Sequence, residues 1–297
     1  MALHSSFIQS SIRSLSRDQF HEIAYTQWGE DNRSGTAICV HGLTRQGRDF
    51  DFIAGRLSAD GYQVVCPDVV GRGLSGTLLD PTDYDLHQYE LDMAMLIASL
   101  RVPEVDWIGT SLGGQIGILL AGRANSPIRR LVINDIGPDL PLTAVLRIGT
   151  YVQNAPSSFE SRQAAEMYFR NILAPFGNLS QEQWHHLSDH SIKPLDNGRF
   201  ALRYDRAIPW GFKPPMIHRR RMWTAWESIR CPILLLRGED SDLLLPRTAK
   251  EMVQRNPRAK LVEVPGCGHA PALLEESQTL IIEEWLRCQE ASSAAVA

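Results

Sequence analysis

Six short apolar runs, at residues 37–40, 62–66, 105–108, 130–134, 232–237 and 260–264, are separated by segments of helical periodicity. A half-buried strand alternates apolar and polar side chains, whereas a continuous run such as Ala37-Ile-Cys-Val40 or Ile233-Leu-Leu-Leu236 needs apolar cover on both faces. Strands buried on both sides and spaced by helices are joined by crossovers. The pattern therefore predicts an α/β fold with a mostly parallel sheet and helices on both faces. Ser6 to Ser16 and Phe20 to Trp28 alternate loosely and read as two further strands forming an antiparallel edge, for eight strands in all. In Leu86 to Leu100 the residues Leu86, Tyr89, Met93, Leu96 and Ile97 make one helical stripe. A last helix is expected over Ala272 to Cys288, with Glu290 to Ala297 polar and small enough to fray.

One interval breaks the rhythm. Between Asp135 and Pro232 there is helical periodicity and no convincing strand, and the stretch is longer than an ordinary crossover needs. The 297 residues, 43% of them hydrophobic, suit one α/β domain carrying an insertion. The expected organisation is a core in two parts, 1–137 and 230–297, with a helical insertion at 138–229 following the sixth strand.

Gly109-Thr-Ser111-Leu-Gly113 lies between the apolar run ending at Ile108 and the helix-like Gln115 to Ala121. A serine at a strand-to-helix turn too sharp for flanking side chains is lifted clear of the backbone. The alternative for such a serine is simply to cap the following helix. A serine nucleophile needs a base, a carboxylate that orients the base, and donors for an oxyanion. His269 follows the strand-like Lys260 to Val264 in a loop with glycines at 266 and 268, the best placed of nine histidines. Several carboxylates lie after the run at 232–237, in Glu239-Asp240-Ser-Asp242.

These elements, in the order Ser, Asp, His, resemble the serine hydrolases of the α/β-hydrolase superfamily from about Ala37 to the last helix. His41-Gly-Leu43 resembles the family's HG oxyanion motif, and Asp68-Val-Val-Gly71-Arg-Gly73-Leu-Ser75 is similar to its DxxGxGxS turn. The resemblance implies a catalytic triad of Ser111, Asp242 and His269, with the backbone amides of Leu43 and Leu112 as oxyanion hole. Asp242 matches the family's spacing of four residues before a proline, here Pro246. Asp240 and Asp135 stand as rivals, the latter because some relatives carry the acid after the strand at 130–134. His41 is expected to shape the oxyanion loop by hydrogen bonding. The insertion corresponds to a helical cap domain, and among its aromatics Tyr204 and Trp210 are expected to line the substrate pocket because they flank an irregular stretch.

The implied activity is that of a carboxylesterase-like hydrolase acting on small or medium acyl esters through an acyl-enzyme. Enol-lactonases and carbon-carbon bond hydrolases of the same fold are the alternatives, and Ala270 stands where ring-fission hydrolases commonly carry tryptophan. A small-ligand receptor that retains the triad is the alternative of another class. No cofactor is expected, nor a metal: HExxH and CxxC are absent, and His185 and His186 point to different faces of the helix expected there. The partner is a small-molecule ester. A net charge of −4 gives no field for nucleic acid, and the basic run His218-Arg-Arg-Arg221 is short. Five cysteines without paired spacing, and an amino terminus lacking a long apolar stretch, predict a cytoplasmic protein with no membrane association. Oligomeric state is not legible.

Overall fold

The computed structural model describes residues 6–30, 33–211 and 215–294. Eight strands form one sheet: β1 (Phe7–Leu15), β2 (Phe20–Trp28), β3 (Gly35–Val40), β4 (Tyr62–Pro67), β5 (Val105–Thr110), β6 (Ile128–Asn134), β9 (Ile233–Gly238) and β10 (Ala259–Val264). Their order is β1-β2-β4-β3-β5-β6-β9-β10. The first two strands run antiparallel, and from β4 to β10 all neighbours are parallel. The six apolar runs are the six parallel strands. Their side chains alternate between two cores: Trp107, Leu131, Ile133 and Leu235 face one side, Ile108, Val132, Leu234 and Leu236 the other.

Helices close both sides. On the first, α2 (Leu86–Leu100) seats the buried stripe Leu86, Tyr89, Met93, Leu96 and Ile97, beside α3 (Leu112–Ala121) and α8 (Pro246–Arg255). On the second, α1 (Asp51–Ala59) and α9 (Glu276–Ala294) supply Ile53, Leu57, Ile282 and Trp285. The last helix thus begins later and ends later than expected.

Between β6 and β9 the chain makes α4 (Leu142–Gln153), α5 (Arg162–Ile172), α6 (Gln181–Ser191) and α7 (Pro215–Ser228). It also contains two three-residue strands, β7 (Ile192–Pro194) and β8 (Phe200–Leu202), paired antiparallel. Sequence reading expected no strand there. This segment has its own core, where Phe159, Phe169, Trp184, Leu187 and Leu202 pack together with Leu274 of the main domain. Trp226 of α7 is fully buried, and its indole N–H donates to Met252 O at 2.8 Å, anchoring the segment's end to α8. Among the described residues no helix is long and apolar enough to cross a membrane.

Candidate active site

Ser111 occupies the turn between β5 and α3 with φ 53° and ψ −112°, backbone that an L side chain rarely adopts. The glycines that the turn requires are sterically enforced. A Cβ on Gly109 would lie 2.3 Å from Gly113 O, and one on Gly113 would lie 2.0 Å from Val40 O. The Ser111 hydroxyl makes no capping bond to α3, which removes the helix-cap explanation of this serine. Its Oγ lies 2.9 Å from His269 Nε2 instead.

The acid at the imidazole is a correction to the sequence reading. His269 Nδ1 lies 2.7 Å from Asp135 Oδ2, not from Asp242 or Asp240. Asp135 follows β6 with φ 59° and is fully buried, and its carboxylate also accepts from Gly238 N at 2.9 Å and Ser241 Oγ at 2.6 Å. Asp242 lies at the surface, its side chain 49% exposed, where Arg147 Nε and Nη2 donate to it at 2.9 and 2.8 Å. Asp240 is exposed as well. The physical reason is adjacency: β6 and β9 are parallel neighbours, so a carboxylate after either strand lies at the same end of the sheet. Pro246 is at the first turn of α8, which accounts for the proline without a catalytic aspartate before it.

Leu43 and Leu112 both border the cavity above Ser111. Leu112 N–H belongs to the first turn of α3, where helical donors lack intrahelical partners and the helix dipole favours negative charge. Among the described residues neither amide meets an acceptor. The Leu43 loop is held from beneath. Val69 N–H donates to His41 Nε2 at 2.9 Å, which leaves the ring proton on Nδ1, 2.6 Å from Gly42 O. Arg72, in the DxxGxGxS turn, donates to Leu43 O at 2.9 Å, to Val70 O and to Tyr89 Oη. In the same turn a Cβ on Gly73 would fall 2.0 Å from Asp68 Oδ2, while Asp68 accepts from Gly47 N and Leu74 N.

Burial pushes the His41 pKa down from 6.5 to about 3, although its bond to Gly42 O works the other way. The folded value lies below the unfolded one, so on acidification the unfolded chain takes up this proton first. His41's contribution is complete above pH 6.5 and is lost as pH falls toward 3. At ~1.4 kcal/mol per unit of pH the loss is on the order of a few kcal/mol. Denaturant unfolding of wild type and His41→Gln at pH 7 and pH 4.5 should therefore show the stability gap between them narrowing in acid; a constant gap refutes the buried neutral imidazole.

The cavity over Ser111 encloses about 220 Å³ and is walled mainly by Leu86, Ile136, Leu140, Ile148, Leu173 and Met222. Tyr204 and Trp210 do not line it, a second correction. Trp210 is 77% exposed, because the turn Ile208–Gly211 buries Ile208 and directs the indole outward. Tyr204 bridges to Arg72 and packs between the main core and that of the inserted segment. Gly211 is the member of this stretch that borders the cavity, and it packs so closely on Tyr84 that a Cβ there would meet Tyr84 O at 2.1 Å. The polar lining that sequence reading missed includes Thr44, Arg45, Arg147 and Tyr151, with Tyr84, Asp85, Tyr89 and Gln115 beside them.

Cys267 is buried, its thiol pushed up to about 11 by desolvation, and it packs rather than reacts. His185 lies 3.1 Å from Glu166 while His186 Nε2 faces Arg48 O, so the adjacent pair diverges as expected. Asp51, His186 and His190 bring possible ligand atoms within 4.8 Å of one another. The Arg48 guanidinium already occupies Asp51 at 2.8 Å, and a cation there would have to displace it. In the basic run, Arg219 pairs with Asp139 and Arg221 with Glu90, while the His218 side chain lies outside the described residues.

The model of the alpha/beta hydrolase family matches residues 37–283. The chain is 42% identical over 282 residues to the 3-hydroxybutyrate-oligomer hydrolase of Cupriavidus necator, covering 92% of this chain and 96% of that protein. It is 26% identical to the 2-(acetamidomethylene)succinate hydrolase of Mesorhizobium japonicum, covering 78% and 80%. An alpha/beta hydrolase structure from Novosphingobium aromaticivorans superposes with TM-score 0.83 at 31% identity, covering 95% of this chain and 99% of the other.

Proposed function

Because the chain belongs to the alpha/beta hydrolase family, we propose that it hydrolyses carboxylic esters with Ser111 as nucleophile, His269 as base and Asp135 as the carboxylate that orients it. The observation that carries this reading is the unbroken chain from Ser111 Oγ through the imidazole to a buried carboxylate, 2.9 and 2.7 Å, opening on a cavity. Ser111 Oγ attacks the ester carbonyl as His269 Nε2 takes its proton. The amides of Leu43 and Leu112 receive the negative charge that develops on the carbonyl oxygen. The imidazolium, stabilised by Asp135, then protonates the departing alcohol as the ester C–O bond breaks. Water, deprotonated by the same imidazole, releases the acid from Ser111.

Residues 138–229 act as a cap that roofs the acyl site. Buried thiols at Cys39, Cys66 and Cys267 suit a reducing, cytoplasmic setting. The relative at 42% identity acts on 3-hydroxybutyrate oligomers, which points to short linear esters of hydroxy acids as the substrate class. Incubation with the linear dimer and trimer of 3-hydroxybutyrate should release monomer through many turnovers per enzyme. Absence of turnover with these and with short nitrophenyl esters overturns the reading, and release limited to one equivalent favours a receptor that has kept the triad.

A further inference from the structure

Besides the catalytic serine and the polar side chains of Tyr84, Asp85, Tyr89 and Gln115, the cavity wall has one corner that carries positive charge, built by Thr44 and Arg45 from the loop after β3 and by Arg147 and Tyr151 from one face of α4. Arg45 is the unusual member. It is 5% exposed, and its Nε and Nη2 donate to Asp49 at 2.7 and 2.8 Å, yet its Nη1 is buried without a partner. A buried guanidinium N–H left unpaired is costly, and such groups in native proteins have a reason. Arg72 Nη2 is also without a partner, but Arg72 does not border the cavity. The Arg45 side chain is fixed in place: its backbone N–H donates to Gly42 O at 3.1 Å and its guanidinium carbon stands 5.6 Å from the Phe169 ring centroid.

Arg45 is also near the chemistry. A Cβ placed on Gly42 would lie 3.6 Å from Ser111 Cβ and 3.7 Å from Arg45 Cγ, so the arginine stem and the nucleophile flank one glycine. The acids around this corner are already engaged. Asp49 accepts from Gln46 as well as from Arg45, Asp242 is held by Arg147, and Asp85 caps α2 through His87 N and Gln88 N. The Arg147–Asp242 pair is half-exposed, so Arg147 can turn toward an anion in the cavity at little expense. The corner thus offers an unspent donor with positive charge beside it, which suits a carboxylate.

We propose that Arg45 Nη1 binds the free carboxylate of the substrate, so that the enzyme selects esters whose leaving alcohol is itself a hydroxy acid. The inference rests on the ester-hydrolase reading of Ser111. In a linear oligomer of a 3-hydroxy acid, the terminal carboxylate lies two carbons from the last ester oxygen. Anchoring it would place the last ester bond at Ser111 and release one monomer per cycle from the carboxylate end. An oligomer whose end is esterified leaves the Arg45 donor unpaired and loses the anchor.

The test compares the 3-hydroxybutyrate dimer as free acid with its methyl ester. Wild type should show kcat/KM about 10- to 100-fold higher for the free acid, the range expected of one charged hydrogen bond. In Arg45→Met the ratio between the two substrates should collapse toward one, and in Arg45→Lys, which keeps the charge, part of it should return. Thermal melts of both variants, together with the ratio itself, separate a lost anchor from a damaged fold, because misfolding lowers both rates alike. A wild-type enzyme that hydrolyses both substrates equally, or an Arg45→Met variant that keeps the full preference, overturns the carboxylate site while leaving the ester-hydrolase reading intact. A wild-type enzyme inert toward both substrates and toward nitrophenyl butyrate overturns both.

Discussion

Asp135→Asn should reduce ester turnover by roughly ten-thousandfold, the scale on which a triad imidazole that loses its orienting carboxylate fails. The loss follows from proton placement. One Asp135 oxygen accepts from Gly238 N and the other from Ser241 Oγ and His269 Nδ1. If the asparagine keeps its carbonyl toward Gly238, its NH2 faces His269 and asks Nδ1 to accept. The ring proton then moves to Nε2, and the nitrogen that must take the Ser111 proton no longer can. Asp242→Asn removes only a half-exposed pair with Arg147, worth about 0–1 kcal/mol, and should leave turnover within a few-fold of wild type. Measuring kcat for both, with melts to confirm folding, decides between them: a dead Asp242→Asn beside an active Asp135→Asn would return the acid to the loop after β9.

The contrast shows what the sequence could and could not carry. Ser111 was readable because its turn tolerates only glycine on either side, so the steric demand is written into Gly109 and Gly113. His269 was readable because few histidines follow a strand in a glycine-flanked loop. The parallel strands inside the sheet were legible as continuous apolar runs, since burial on both faces removes polar residues, whereas β10 at the sheet's edge keeps Lys260 and Glu263 exposed. The acid was not, because β6 and β9 are adjacent only in the sheet, and spacing along the chain cannot say which loop the imidazole meets. The strands β7 and β8, three residues each, are too short for alternation to register. Trp210 was misplaced for a related reason: an irregular segment gives no periodicity from which to infer direction, and its short helical turn points the indole outward. Arg45 has no local sequence signal. Its significance appears only when α4 and the loop after β3 meet across the cavity.

The second large effect falls on the nucleophile. Ser111→Ala should keep the fold, since the hydroxyl caps nothing, yet leave less than roughly a thousandth of wild-type turnover, the level that binding and the oxyanion donors alone sustain. The alanine inherits a backbone at φ 53° that is strained for any L side chain, so the variant should melt close to wild type.

Covalent trapping tests the nucleophile most directly. Treated with a fluorophosphonate ester and analysed by intact mass and peptide mapping, wild type should gain one adduct per chain, on the peptide bearing Ser111, in proportion to lost turnover, while Ser111→Ala remains unlabelled. Inactivation with the adduct elsewhere, or a Ser111→Ala protein that still turns over esters at the wild-type rate, would contradict the account.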